Sequence, residues 1–413
     1  MSFSGKQRLT NGQIQNVEES AEVMRERMFV TDSKEMKAES PSPEARIFRA
    51  PGRVNLIGEH TDYNDGFVMP VAIGFSTTVT VTPRTDRTVS VFSDNFSERI
   101  EFDLDDRTLK PARHWSDYVR GVAVMLELAG HRLNGATLRV SGEVPIGSGL
   151  SSSAAIEVAT ALALLENSGL RLDRVELAAI CQRAENEFVG MRCGIMDQFI
   201  SCCGQEGKAL LLDCRSLEYN LLPLPEAARL VICNTMVKHA LATGEYNKRR
   251  AECERGVNHF AKGGPRVRAL RDVTEIELEA AREELPELIY RRCRHVITEN
   301  TRVLEAAAAL EQGDLDRFGQ LMEQSHRSLR DDYEVSCAEL DLMVQLAQPV
   351  RGVFGARMTG GGFGGCTVNL VNAENVDAFK HIVAHGYQAQ TGLTPEIYVC
   401  SAAAGAREVS RDC

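Results

Sequence analysis

The sequence predicts an α+β fold in two domains with a ligand cleft between them. Three observations carry that expectation. The 413-residue length fits two or three domains. Short β-branched runs alternate with longer stretches of helical periodicity along most of the chain. Two glycine-dense turns, each beside a strand-like run, supply the kind of close-approach backbone that lines a ligand site.

Residues 1–43 read as a polar extension. Val17, Ala21, Met24 and Met28 fall at helical spacing, which suits a short amphipathic helix or a tail with some helix in it. Pro41-Ser42-Pro43 then punctuates the start of the folded body. Thr77–Val81 and Val89–Phe92 read as strands, Trp115–Leu128 as a helix and Gly135–Val144 as a strand. Pro145–Gly149 is a glycine-rich turn. The helix after it, Ser151–Asn167, carries Ala154, Val158, Leu162 and Leu165 on one face, with Gly169 beyond its end. A second helix spans Val175–Phe188. Pro223 and Pro225 mark a boundary, giving domains at 44–222 and 223–413. In the second domain Glu275–Leu285, Tyr290–Gln312 and Leu315–Leu329 read as helices. Leu230–Cys233, Cys366–Val371 and Glu396–Cys400 read as strands.

Composition narrows the function. The formal net charge of −11 argues against a nucleic-acid binder, which shows a basic face. The 12 cysteines include no Cys-x-x-Cys pair and read as reduced thiols in a cytoplasmic protein. No apolar run has the length of a membrane span, and the N-terminus lacks the apolar core of a secretion signal.

Val144-Pro-Ile-Gly-Ser-Gly-Leu-Ser-Ser-Ser-Ala-Ala155 ends a strand and opens a helix. Helix N-termini present unpaired N–H groups and a positive dipole end, so the segment suits phosphate. It is not a Walker A loop, because no Gly-Lys-Ser/Thr follows. It is not the dinucleotide fingerprint, because Ser152 stands where a third glycine belongs. A glycine turn with a serine N-cap is the plainer alternative; the triple serine favours phosphate. Thr359–Gly365 holds five glycines in six positions, which means either close backbone approach or a tight connection.

Arg49–Gly66 is dense in groups that bind hydroxyls. Glu59, His60 and Asp62 bracket well a sugar whose hydroxyls must be paired. Arg53 suits a phosphoryl group, or else is a surface charge. Asp65-Gly66 reads as a turn, and Asp62 can be a turn residue too. Asp197, in Gly194-Ile-Met-Asp-Gln198, can accept the proton of an attacking hydroxyl. A carboxylate with an ordinary pKa near 4 is too weak to deprotonate a sugar beforehand. It can take the proton late, as the O–P bond forms. Glu185 lies beside the apolar stripe Leu177, Cys181, Ala184 and Phe188. It reads as a Mg²⁺ ligand or as a solvated helix carboxylate.

Together these segments resemble the GHMP kinase superfamily and, within it, the galactokinases. Gly52–Tyr63 looks like the galactokinase signature, Pro145–Ala155 like the phosphate loop, and Met358–Cys366 like the third, glycine-rich motif. Cys214–Glu218 and Ser325–Tyr333 add to the likeness; the stretch before Pro43 does not. The resemblance implies a ribosomal S5 domain 2-like N-terminal domain and a ferredoxin-like C-terminal one. It implies ATP-dependent phosphorylation of galactose at its anomeric hydroxyl, the first committed step of galactose breakdown, in a cytoplasmic monomer. Asp197 would be the base and Arg53 would stabilise the transition state. Glu59, His60, Thr61, Asp62, Gly194 and Tyr246 would bind the sugar. Gly147, Ser148, Gly149, Leu150, Ser151, Ser152 and Ser153 would wrap the ATP phosphates, with Trp115 on adenine and Ser153 and Glu185 on Mg²⁺. Two alternatives stand beside this reading: a relative acting on another sugar such as N-acetylgalactosamine, and a catalytically silent sugar sensor. The intact Ser151-Ser-Ser-Ala-Ala155 and Asp197 argue against the sensor.

Because the extension carries none of these motifs, a chain truncated to begin at Ser42 is expected to keep its kinase activity, as steady-state turnover will show; a large loss would assign the extension a role.

Overall fold

The computed structural model describes residues 45–238, 242–263 and 266–410. The amphipathic pattern at Val17–Met28 and the Pro41–Pro43 punctuation lie outside them. The described residues form one compact unit.

The first sheet has six strands: β1 (Arg46–Asn55), β3 (Pro70–Pro83), β4 (Thr88–Ser93), β5 (Glu98–Asp103), β6 (Ala136–Gly142) and β13 (Arg407–Val409), in the order β13-β1-β3-β6-β4-β5. Only the β4–β6 pair is parallel. β3 shows why it pairs: from Ser76 to Thr82 its valines are buried while Thr78, Thr80 and Thr82 are partly exposed, the period-2 pattern of a strand with one covered face. Four helices cover that face: α1 (Asp117–Leu128), α2 (Ser152–Asn167), α3 (Arg174–Arg183) and α4 (Met196–Cys203). A small sheet of β2 (Phe67–Val68), β7 (Lys208–Asp213) and β8 (Tyr219–Pro223) follows.

The second large sheet is antiparallel. Its strands β9 (Ala228–Lys238), β10 (Val353–Thr359), β11 (Gly364–Asn372) and β12 (Glu396–Cys400) run in the order β10-β11-β9-β12. Around it lie α5 (Ala242–Phe260), α6 (Glu275–Ala280), α7 (Glu287–Glu311), α8 (Leu315–Asp331), α9 (Ala338–Ala347) and α10 (Val376–Thr391). One apolar core joins the halves, packing Val54, Leu56 and Ile57 of β1 and its exit with Val303 of α7, Phe318 of α8 and Val368 of β11. The last described strand, β13, pairs antiparallel with the first, β1.

Every strand and helix expected in the folded body is present, with shifted ends. Three differences have physical causes. The helix expected from Ser151 starts at Ser152, because Ser151 takes a left-handed conformation. That helix was expected to bury one face. Instead residues on every side of α2 are buried, including Ala154, Val158, Thr160 and Leu164, because it lies between β1 and β3 and the helices α1, α3 and α4. Third, the helix expected through Phe188 leaves α geometry after Arg183 and continues as one π-helical turn, Ala184–Val189.

Helix α8 crosses β10 at very short range. A Cβ on Gly319 would lie 1.7 Å from the Phe354 carbonyl oxygen. Gly319→Ala is therefore expected to lose about 1–3 kcal/mol of stability through overpacking, seen as a lower urea midpoint.

Candidate active site

One cleft of about 580 Å³ takes its lining from both large sheets. At its floor, β1 delivers Arg53, whose side chain is buried. Arg53 Nε donates to Asp197 Oδ1 at 2.8 Å and Nη2 to Oδ2 at 2.7 Å, a bidentate pair. Nη1 donates to the Gly149 carbonyl at 2.6 Å, and the Arg53 backbone N–H to the Leu150 carbonyl at 3.1 Å. Burial alone would lower the arginine pKa. Asp197 and Glu59 outweigh it, and the guanidinium is held more firmly charged than usual. The surface-charge alternative for Arg53 is thereby excluded.

Asp197 stands in the first turn of α4. Its Oδ2 also accepts from Ser151 Oγ at 2.5 Å. This overturns the serine N-cap reading: Ser151 makes no side-chain cap, because its hydroxyl is committed to Asp197. Ser152 and Ser153 open α2 toward the cleft. The second glycine run joins β10 to β11 and packs backbone to backbone on this loop. A Cβ on Gly365 would lie 2.8 Å from the Ser148 carbonyl oxygen, at a φ of +84°. Close approach is therefore what the five glycines provide.

The segment after β1 forms the second wall. His60 is left-handed (φ 64°) and a 3₁₀ turn runs Asp62–Asn64. Glu59 Oε1 accepts from the Gly360 N–H at 2.8 Å and from Thr359 Oγ1 at 3.1 Å. His60 Nδ1 meets the Tyr63 hydroxyl at 2.8 Å, and its ring packs among Tyr63, Tyr246 and Tyr333. Burial pushes the imidazole pKa far down, so it is neutral. Its Nε2 is buried with only a marginal approach to the Gly361 backbone. Burial, then the Asp197 charge, pushes Asp62 up to about 7. A Cβ on Gly194 would lie 2.0 Å from Asp62 Oδ2, so that position must be glycine for the carboxylate to stay.

Glu185 projects from the π-helical turn and is buried at the cleft wall, which removes the solvated-carboxylate reading. Burial, then Asp197, raises it to about 7, while Ser153, Cys193 and Gln198 hydrogen-bond to it. Gln198 Nε2 donates to Glu185 Oε2 at 2.6 Å and to Glu157 Oε2 at 3.0 Å. Glu157 is wholly buried and pushed far up, so it stays protonated. The half-buried Ser153 hydroxyl and the buried Glu185 carboxylate offer an oxygen pair on the cleft wall, which fits a hard cation that keeps water and substrate oxygens as its other ligands.

At the far end Trp115 stacks on Phe96, with centroids 5.7 Å apart and planes 10° off parallel, and donates from Nε1 to Glu98 at 2.9 Å. With the exposed side chain of Ile146 they form an apolar shelf on the cleft. Three expected site residues do not face the cavity. Thr61 Oγ1 donates to the Gly58 and Phe67 carbonyls, Ser148 Oγ to the Pro145 carbonyl, and the Leu150 side chain joins the core. Asp65 is a left-handed turn residue, as expected. Phe96, Tyr118, Met191 and Cys193 line the cleft with no sequence pattern to reveal them.

The residues that build this cleft match known models. The galactokinase galactose-binding signature matches residues 35–83, the GHMP kinases N terminal domain 117–205 and the GHMP kinases C terminal domain 306–389. A galactokinase of Roseiflexus sp. (strain RS-1) is 50% identical over 88% of this chain and 93% of its own length. The chain belongs to the galactokinase family of GHMP kinases. A galactokinase of Chloroflexus aggregans is equally similar, at 50% identity over 88% of this chain and 93% of its own. The crystal structure of Lactococcus lactis galactokinase complexed with galactose superposes with a TM-score of 0.86 at 38% identity, covering 94% of this chain and 99% of that one. A mevalonate kinase from Methanococcus jannaschii, 18% identical with a TM-score of 0.60, shares the fold. In GHMP kinase terms the two large sheets are the N- and C-terminal parts of that fold.

A carboxylate raised by burial destabilises the fold where it must ionise. For Asp62 that cost is absent below about pH 4, grows as pH rises to about 7, and is full above it. Asp62→Asn is therefore expected to raise the melting temperature by several degrees at pH 8, with the gain shrinking at pH 5, in thermal scans of the ligand-free protein.

Proposed function

We propose that this chain transfers the terminal phosphoryl group of ATP to the anomeric hydroxyl of galactose. The observation that carries the reading is the position of Asp197. Arg53 and Ser151 fix it where two glycine loops meet the Glu59–Asp62 wall.

The chemistry follows from the bonds present. Asp197 Oδ2 is taken twice, by Arg53 and Ser151, and Oδ1 once, by Arg53 Nε. A carboxylate oxygen has two acceptor sites, so Oδ1 keeps one for a substrate hydroxyl. It can receive that proton as the O–P bond forms, which suits a loose phosphoryl-transfer transition state. Arg53 contributes fixed positive charge at the same point. Glu59, neutral His60, Asp62 and Tyr246 offer acceptors and donors for sugar hydroxyls, and Gly194 clears room for the Asp62 carboxylate. Gly147, Gly149, Ser152 and Ser153 face the ATP phosphates, and the Trp115–Phe96 shelf takes a flat base. Ser153 and Glu185 would hold Mg²⁺, which neutralises phosphate charge when bound. The division at 44–222 and 223–413 places the phosphate loop and sugar signature in one half and the second glycine run in the other. The 11 described cysteines are all free, in keeping with action in a reducing cytoplasm.

With ATP, Mg²⁺ and galactose the protein should form galactose 1-phosphate, followed by phosphorus NMR. Asp197→Ala should cut kcat by about 10²–10⁴-fold while calorimetry still detects galactose. A kcat within about tenfold of the parent would remove Asp197 from its role. Faster turnover of N-acetylgalactosamine, arabinose or glucose reassigns the substrate.

A further inference from the structure

Behind the Glu59–Asp62 wall lies a buried set of charges that phosphoryl transfer does not use. Helix α7 presents it. His295 Nε2 donates to the Glu59 carbonyl at 3.1 Å, Glu299 Oε1 accepts from the Gly58 N–H at 2.9 Å, and Asn300 Oδ1 accepts from the Phe67 N–H at 2.9 Å. His295 and Glu299, four apart on one face, hold the start of the sugar loop, and Asn300 beside them holds its far end at Phe67.

Glu299 is fully buried. It also accepts from Ser325 Oγ at 2.5 Å and from Arg302 Nε at 2.7 Å. Arg357 of β10 is equally buried. Its Nη1 donates to the Asn55 carbonyl at 3.1 Å and lies 3.5 Å from Glu59 Oε1, and its charge also acts on Glu299. Its Nε and Nη2 find no hydrogen-bond partner. Arg357 therefore acts here through charge more than through a full set of bonds. The set balances: Glu59 and Glu299 against Arg302 and Arg357, beside a neutral His295 and with Arg53 already matched by Asp197.

We propose that Glu299 and Arg357 are positioning residues for sugar binding: Glu299, bonded to the Gly58 N–H, and Arg357, beside the Glu59 carboxylate, belong to one balanced buried charge set that holds Gly58 and Glu59 in the conformation presenting that carboxylate to galactose. The proposal rests on Glu59 as a sugar ligand. Removing Glu299 strips Arg302 of its partner, and removing Arg357 strips Glu59 of its cation, so either change leaves the buried set with one unmatched charge. Removing both restores neutrality, so the effects cannot add.

The test is the cycle Glu299→Gln, Arg357→Met and the double variant in the full chain, reading KM for galactose and for ATP, kcat, calorimetric galactose affinity and thermal unfolding. Each single change should weaken galactose at least about tenfold and leave KM for ATP within about twofold, and the double should return to within about threefold of the parent, as coupled buried charges require. A single variant that fails to fold, with a double that folds and binds galactose, supports the balance equally. Folded single variants with parental galactose affinity, additive losses in the double, or a double that does not fold overturn it. The parent's own turnover is measured alongside. If the parent does not use galactose, the functional reading fails by itself, and the unfolding temperatures still report the charge cycle.

Discussion

The bidentate pair between Arg53 and Asp197 is the constraint on which the site depends. Desolvating a guanidinium and a carboxylate is expensive unless each is fully matched. Here the arginine is buried beneath the cleft, and its hydrogen bonds reach two separate pieces of chain. Two go to Asp197 on α4, one to the Gly149 carbonyl in the phosphate loop, and its backbone N–H goes to Leu150. One side chain thus fixes the distance between the acceptor carboxylate and the turn that faces phosphate. No residue with fewer donors, or without a planar fork, could satisfy all three contacts at once.

The second constraint is steric. The phosphate loop and the run between β10 and β11 touch through their backbones, and side chains on either would force them apart. The π-helical turn at Ala184–Val189 serves the same end. It carries Glu185, buried on the cleft wall and hydrogen-bonded to Ser153.

Much of this was legible in the sequence, and the exceptions share a cause. Thr77–Val81 and Tyr290–Gln312 could be read because period 2 and period 3.6 survive in any environment. The glycine runs could be read because nothing but close approach explains their density. What failed was burial. Glu185 and Arg53 each had a plausible solvated reading, and α2 a plausible exposed face, because a sequence does not say what packs over a residue. Ser151 looked like a cap for the same reason: its partner, Asp197, is 46 residues away. Thr61 stands inside the sugar motif yet bonds the loop's own carbonyls, so motif membership did not distinguish ligand contact from loop support. Phe96 and Cys193 reach the cleft only through the tertiary fold.

The site is acidic beyond what its cations neutralise. Glu59, Asp62, Glu185 and Asp197 line one cavity that contains a single arginine, Arg53. Low dielectric makes that excess act on the weakest members, and Asp62 and Glu185 rise to about 7 while Glu157 behind them stays protonated. A nucleotide adds further negative charge. On the function proposed above, its binding would be unfavourable to the bare pocket and would become favourable with a divalent cation at Ser153 and Glu185, or with protons retained on the raised carboxylates. The same excess explains why sugar hydroxyls are welcome, since each brings a donor to an acceptor-rich wall. The cleft is set up to take a neutral polyol on one side and a cation-bound anion on the other, with the one fully matched charge pair lying between them.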